Sequence, residues 1–144
     1  MRKTIAALVI WNMLAGAAAA GPADDALGLW LTQSGNGVIE ITRCGESVCG
    51  RVVGGRGERL DVNNRDRALR SRELMGLTIL SGHREGPEGW VGGRIYNPED
   101  GASYRSNLAP GPGGTLRVTG CLGPFCRTQV WTRTTQRGAL RAAR

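Results

Sequence analysis

The regular return of turn residues is the feature that most constrains this chain. From residue 28 on, short runs rich in Val, Ile, Thr, Trp and Tyr are cut by clusters of Gly, Pro, Asn and Asp. Eight runs read as strands: "GLWLT" (28–32), "VIEITRC" (38–44), "CGRVV" (49–53), "GLTILSG" (76–82), "WVGGRIY" (90–96), "ASYRSNLA" (102–109), "TLRVTGC" (115–121) and "CRTQVWTRT" (126–134). None has the length or the 3.6-residue period of a long amphipathic helix. Alternation is visible where Ile39 and Ile41 share one face and Val38, Glu40 and Thr42 the other. Leu116 and Val118 likewise flank Arg117. Such strands bury one face and wet the other. The expected fold is all-β, an antiparallel up-and-down meander of about eight strands. Closing it into a small barrel removes the two edges that invite aggregation, and a two-sheet sandwich is the alternative the same pattern permits. Gly92 and Gly93 inside a strand predict a bend or bulge.

The ends of the chain speak to its compartment. Arg2 and Lys3 precede an apolar run from Thr4 to Leu14, and Ala18 and Ala20 occupy the small-residue positions of a cleavage site. This reads as a secretory signal peptide over residues 1–20, cut after Ala20. Residues 21–27 are expected as a linker, 28–134 as one barrel domain and 135–144 as a flexible basic tail. No later run approaches the ~20 apolar residues of a spanning helix. Removing twenty of 144 residues leaves 124, an ordinary single domain. The formal charge falls from +7 to +5, because Arg2 and Lys3 leave with the leader. The remaining cations are all arginine but are scattered, which argues against nucleic acid as a partner. Arginine-only usage also fits a coding bias.

Cys44-x4-Cys49 and Cys121-x4-Cys126 are two identical local pairs. Ligand pairs of this kind can bind zinc, but an exported chain favours disulfides. A hairpin with a four-residue loop would set each pair directly opposite, within bridging distance. Cross-pairing between the hairpins remains the other arrangement.

"DVNNRDRALRSREL" (61–74) interrupts the meander, in a 54–75 connection long for a compact domain. As a calcium loop it fails: Arg65 takes the fifth position, Asp66 replaces the sixth-position Gly, and no Glu stands at the twelfth. As local structure, Asn64 is expected to cap a short helical turn, with Leu69 and Leu74 as a lid on one barrel mouth. If the stretch binds a polar ligand, Arg70 and Arg72 are the candidates, with Asn63, Asn64 and Asp66 beside them. The competing reading is an internal Asp/Arg network that only ties the loop down.

These motifs, with "VIEITRCGESVCGRVV", "GWVGGRIYNPEDGASY" and "TQVWTR" in the same order, resemble the bacterial family called domain of unknown function 2147 over roughly residues 28–133. One departure is Glu73, where members carry proline. The resemblance implies a lipocalin-like β-barrel and no established activity or residue role. Gly28-x-Trp30 and Trp131-x-Arg133 would meet where the first and last strands join. Arg133 could then stack on Trp30, a structural contact similar to one that plugs lipocalin barrels.

Catalytic constellations are not recognisable. His83, the single histidine, reads as a solvated turn residue. Glu99 and Asp100 fall in the turn "NPEDG". "PGPGG" lacks the Lys-Ser/Thr and helix of a phosphate loop. The sequence therefore predicts a periplasmic or secreted barrel binding a small molecule at one mouth, without cofactor or metal. A structural or interaction module of the envelope, with no ligand, is the alternative.

Overall fold

A computed structural model describes residues 21–135. The expected leader and most of the basic tail lie outside the described residues. Eight antiparallel strands form a closed barrel in sequence order. They are β1 (Gly28–Leu31), β2 (Gly37–Cys44), β3 (Ser47–Gly55), β4 (Thr78–Gly86), β5 (Gly89–Asn97), β6 (Ala102–Gly111), β7 (Thr115–Leu122) and β8 (Phe125–Arg133). β1 closes on β8 through Trp30 opposite Arg133 and Leu31 opposite Thr132. Closure rules out the sandwich, because every strand has two neighbours. No helix among the described residues is long and apolar enough to cross a membrane.

In such a meander the connections alternate between two ends. The first residues, the 45–46, 87–88 and 112–114 turns and Arg133 lie at one end. The 32–36, 56–77, 98–101 and 123–124 connections lie at the other. The first end is shut. Residues 21–27 are not a free linker, since a short 3-10 turn at Asp24–Ala26 packs into this end, with Ala23 and Ala26 buried. The Trp30 indole N–H donates to the Ala26 carbonyl and the Trp90 N–H to that of Ala23, at 2.9 and 2.7 Å. Arg133 stacks 4.2 Å from the Trp30 ring centre and donates to the carbonyls of Leu27 and Asp25. Gly28 makes this possible: a Cβ there would stand 2.6 Å from an Arg133 nitrogen. The plug uses main-chain carbonyls of the entering chain as acceptors for three buried or stacked side chains.

His83 corrects the sequence reading. β4 runs on to Gly86, so His83 is a strand residue, fully buried rather than solvated. Its ring lies over Gly93, where a Cβ would sit 2.2 Å from it. Gly93 also adjoins the register shift between Trp90 and Gly93, the irregularity expected of the Gly pair. Neither ring nitrogen, nor the buried Ser106 hydroxyl opposite Gly93, has a hydrogen-bond partner among the described residues. Burial without a partner disfavours the charged imidazolium and depresses the His83 pKa to about 4.

Both cysteine pairs are bridged locally, which removes zinc and cross-pairing. Their settings differ from each other. Cys121 faces Cys126 directly, as expected. Cys44 faces Ser47 instead, and Cys49 faces Thr42. The first hairpin turns in two residues, so its bridge runs diagonally, with Cα atoms 5.7 Å apart against 4.1 Å in the second.

Candidate ligand-binding site

The second end is open. It leads into a cavity of about 910 Å³ that occupies the upper half of the barrel. Alternation along the strands sets its walls. On β8, Arg127, Gln129 and Trp131 line it at every second position, and Val118 and Gly120 do the same on β7; Leu122 and Phe125, largely exposed at the hairpin tip, form its rim. Ile39, Val52, Ile79 and Ile95 complete an apolar lower wall. Trp131, expected only as a structural residue, is part of that wall, its N–H held by the Gln129 side chain at 2.9 Å. Polar groups enter higher up. The Tyr104 hydroxyl donates to Asp100, and this bond, followed by burial, raises the tyrosine pKa. Glu99 and Asp100 do belong to the 97–101 turn: Asn97 accepts from the Glu99 N–H, and the Gly101 N–H closes back on the Asn97 carbonyl.

The 56–77 connection forms one wall of the mouth and is fixed by a buried carboxylate. Asp61 has no exposed surface. It accepts from the Tyr96 hydroxyl, from Asn64 at 2.7 Å and from two Arg72 nitrogens, each at 2.8 Å. Burial alone would raise the Asp61 pKa, but these donors outweigh it and hold the pKa below the ordinary value. The same arrangement raises the Tyr96 pKa, through burial first and the Asp61 bond second. Arg72 also lies 5.3 Å over the Tyr96 ring. Main-chain bonds between Asp61 and Arg72 and between Leu74 and Arg59 fold the stretch back on itself as a small hairpin.

This network redistributes the roles expected for "DVNNRDRALRSREL". Asp66, not Asn64, caps the 3-10 turn at Arg67–Leu69, accepting from the Ala68 N–H. Asn64 is pulled inward by Asp61 and Tyr96, and its own carbonyl oxygens receive the Asp66 N–H and Arg70 Nε. Arg72 is committed to Asp61. Of the five candidate residues, Asn63 lines the cavity, and its amide reaches the Pro98 carbonyl across the mouth at 3.1 Å. Arg70, Arg72, Asn64 and Asp66 are not in the lining. The expected lid is half present: Leu74 lines the mouth, whereas Leu69 is 38% exposed outside it.

The arginines that do reach the mouth are Arg56, Arg59 and Arg127. Arg59 approaches Glu73 at 3.8 Å between two exposed side chains, a weak pair. Polar side chains on an inward strand face, as at Arg127 and Gln129, were the sequence signal for a wet upper cavity.

The family model for uncharacterized proteins conserved in bacteria, DUF2147, matches residues 28–133. The chain belongs to the DUF2147 family. The match spans all eight strands, so the plug at Asp24–Ala26 precedes the shared DUF2147 region. A solved structure is similar to this DUF2147 barrel with a TM-score of 0.66 and 23% identity, covering 76% of this chain and 83% of that one. It is described as protein HP1028 from the human pathogen Helicobacter pylori, belonging to the lipocalin family. At that identity the likeness establishes the lipocalin-like fold alone. Among curated proteins no match is found.

Proposed function

We propose that this is an exported binding protein that takes one small, predominantly apolar molecule into the open half of its barrel. The cavity carries the reading. Its volume of about 910 Å³ lies within the range of ligand sites, roughly 300–1,000 Å³, and its lower wall is aliphatic and aromatic. The upper wall adds Tyr104, Gln129 and Arg127, so the ligand's apolar body would go down and its polar end up. Arg70 and Arg72 brace that wall through Asn64 and Asp61 rather than meeting the ligand. The lining supports a binding reading: His83 lies outside it, and the carboxylate of Asp100 is engaged by Tyr104 and the Ala102 N–H. Export is supported by the two bridged cysteine pairs, which suit an oxidising compartment such as the periplasm.

Native mass spectrometry of protein purified from its own periplasm tests this. The expected result is a reproducible adduct lost from a variant with a narrowed cavity, such as Val118→Phe. A bare mass under gentle conditions would point instead to an envelope interaction module without a ligand.

A further inference from the structure

The barrel closes over only part of its height. β1 is four residues long and meets β8 at two positions, Trp30 opposite Arg133 and Leu31 opposite Thr132. β8 is nine residues long, and towards the mouth residues 125–130 face no strand on the β1 side among the described residues. Main-chain directions along β8 follow from its end. The Arg133 N–H donates to the Gly114 carbonyl, towards β7, and the Thr134 N–H to the Leu29 carbonyl, towards β1. Alternation then turns the N–H and C=O groups of Cys126, Thr128 and Val130 to the β1 side. The 4.1 Å Cα separation of Cys121 and Cys126 agrees, since facing residues that exchange no main-chain bonds lie closer than those that do.

This edge is exposed at Cys126, Thr128 and Val130, and no bulge or proline breaks the β7–β8 register behind it. The Val130 N–H is taken by the Gln33 side-chain carbonyl at 2.8 Å. An amide group thus stands where the carbonyl of a neighbouring strand would. The next two edge positions, Thr128 and Cys126, have no such main-chain partner among the described residues. The cavity reaches this side of the barrel. Ser34 and Asn36, in the turn after β1, line it together with Cys126 and Arg127 of β8.

We propose that the β8 edge from Cys126 to Val130 binds an extended polypeptide segment with apolar side chains at alternate positions. An extended chain offers N–H and C=O groups at the two-residue spacing that Cys126 and Thr128 present. The segment continues the line of β1 towards the mouth, over about 17 Å or about five residues. Its alternate side chains fall beside Arg127 and Gln129, over the cavity, and the others face outward. The aliphatic wall of Ile39, Val52, Ile79 and Ile95 favours apolar residues at the inner positions. That preference rests on the cavity reading above, whereas the main-chain pairing does not. A molecule without a peptide backbone can enter the cavity but leaves the Cys126 and Thr128 groups unmet. A second copy of β8 fits less well. Antiparallel pairing of two such edges about Thr128 sets Pro124 opposite Thr132, a place that Leu31 already holds.

Amide exchange followed by NMR is the test, on protein lacking residues 1–20 and with a blocked peptide of about five residues alternating valine and threonine. The expected result is saturable binding that slows exchange at Cys126 and Thr128 by about tenfold. The Arg127 and Gln129 amides, already turned to β7, should not change. Two further peptides carry N-methyl groups, one at the valines and one at the threonines. The peptide that loses the N–H groups facing β8 should no longer bind, and its counterpart should. Thr128→Pro removes the free N–H without touching the β7 ladder. It should weaken binding by about tenfold with a thermal midpoint near that of the wild type, and the N-methylated pair decides if this variant does not fold. No binding, equal binding of both N-methylated peptides, or unchanged exchange at Cys126 and Thr128 in the bound state would overturn the proposal. So would protection of those two amides that rises with protein concentration in the absence of peptide, the sign of a β8–β8 dimer. Uptake of N-phenyl-1-naphthylamine measured without peptide reports on the cavity separately, so failure of one reading is distinguishable from failure of the other.

Discussion

The two ends of this barrel are built from similar materials and do opposite things. At the closed end, buried indoles and a stacked arginine are satisfied by main-chain carbonyls of the entering segment, and the space is filled. At the open end an arginine and an aromatic ring are again paired, Arg72 with Tyr96. There they converge on a buried carboxylate in a loop that stands beside the cavity. The difference lies in what is being held. Carbonyl acceptors along a chain let that chain drop into the barrel and plug it. A single Asp61 gathering donors from three sites makes the loop a stiff wall and leaves the middle open.

Removing the plug's anchor should have the largest effect. Trp30→Ala empties a buried aromatic site and should cost about 3–5 kcal/mol, measured by chemical denaturation. A loss under 1 kcal/mol would mean the closed end is not a packed plug. Asp61→Ala strands the Tyr96 hydroxyl, Asn64 and Arg72 together. It should cost about 3 kcal/mol and increase amide exchange across residues 59–74 while leaving the closed end protected. Equal deprotection of both ends would mean that Asp61 holds the whole barrel and not the open-end loop alone.

The pH dependence samples the core between the ends. His83 is held neutral with a pKa of about 4, against an unfolded value near 6.5. The folded state therefore binds fewer protons than the unfolded state between those values. Stability is complete above pH 6.5 and falls as pH drops towards 4, by up to about 3 kcal/mol. Asp61, with its lowered pKa, adds a second loss at more acidic pH as it protonates. His83→Leu should flatten the profile between pH 4 and 6.5 and leave the lower loss in place. Denaturant midpoints across that range decide it. The smallest effect is expected from Arg133→Ala, about 1–2 kcal/mol for the lost stacking on Trp30. Arg133→Lys should recover only part of it, because a lysine lacks the planar fork that reaches two carbonyls.

Much of the closed end was legible in the sequence. Trp30, Arg133 and Gly28 follow from short strands whose first and last members must meet in a closed meander. The plug itself was not, because "PADDALG" carries no strand alternation and its value lies in carbonyls that any residue supplies. The second disulfide followed from loop length, whereas the first was displaced by a tighter turn at Gly45-Glu46 that spacing alone does not reveal. His83 was misplaced because "HREG" is turn-like in composition, while its neighbours on β3 and β5 pull it into the core. At the open end, the central motif announced an Asp/Arg network but not which arginine closed it. Arg72 and Asp61 meet only because Tyr96, from a distant strand, supplies the third side.

Whether the open half of the barrel is a usable cavity decides between a ligand-binding protein and a filled module. Gly120 is the position to test, since it lines the cavity and a Cβ there would meet Tyr104 and Ile95 at 3.5 and 3.6 Å. Titrating N-phenyl-1-naphthylamine into protein lacking residues 1–20, with quenching of Trp131 as a second readout, should give saturable binding at one site. Gly120→Leu should weaken that binding at least tenfold while the thermal midpoint stays near that of the wild type. Absence of saturable uptake by the wild type, or equal uptake by a folded Gly120→Leu variant, would contradict it.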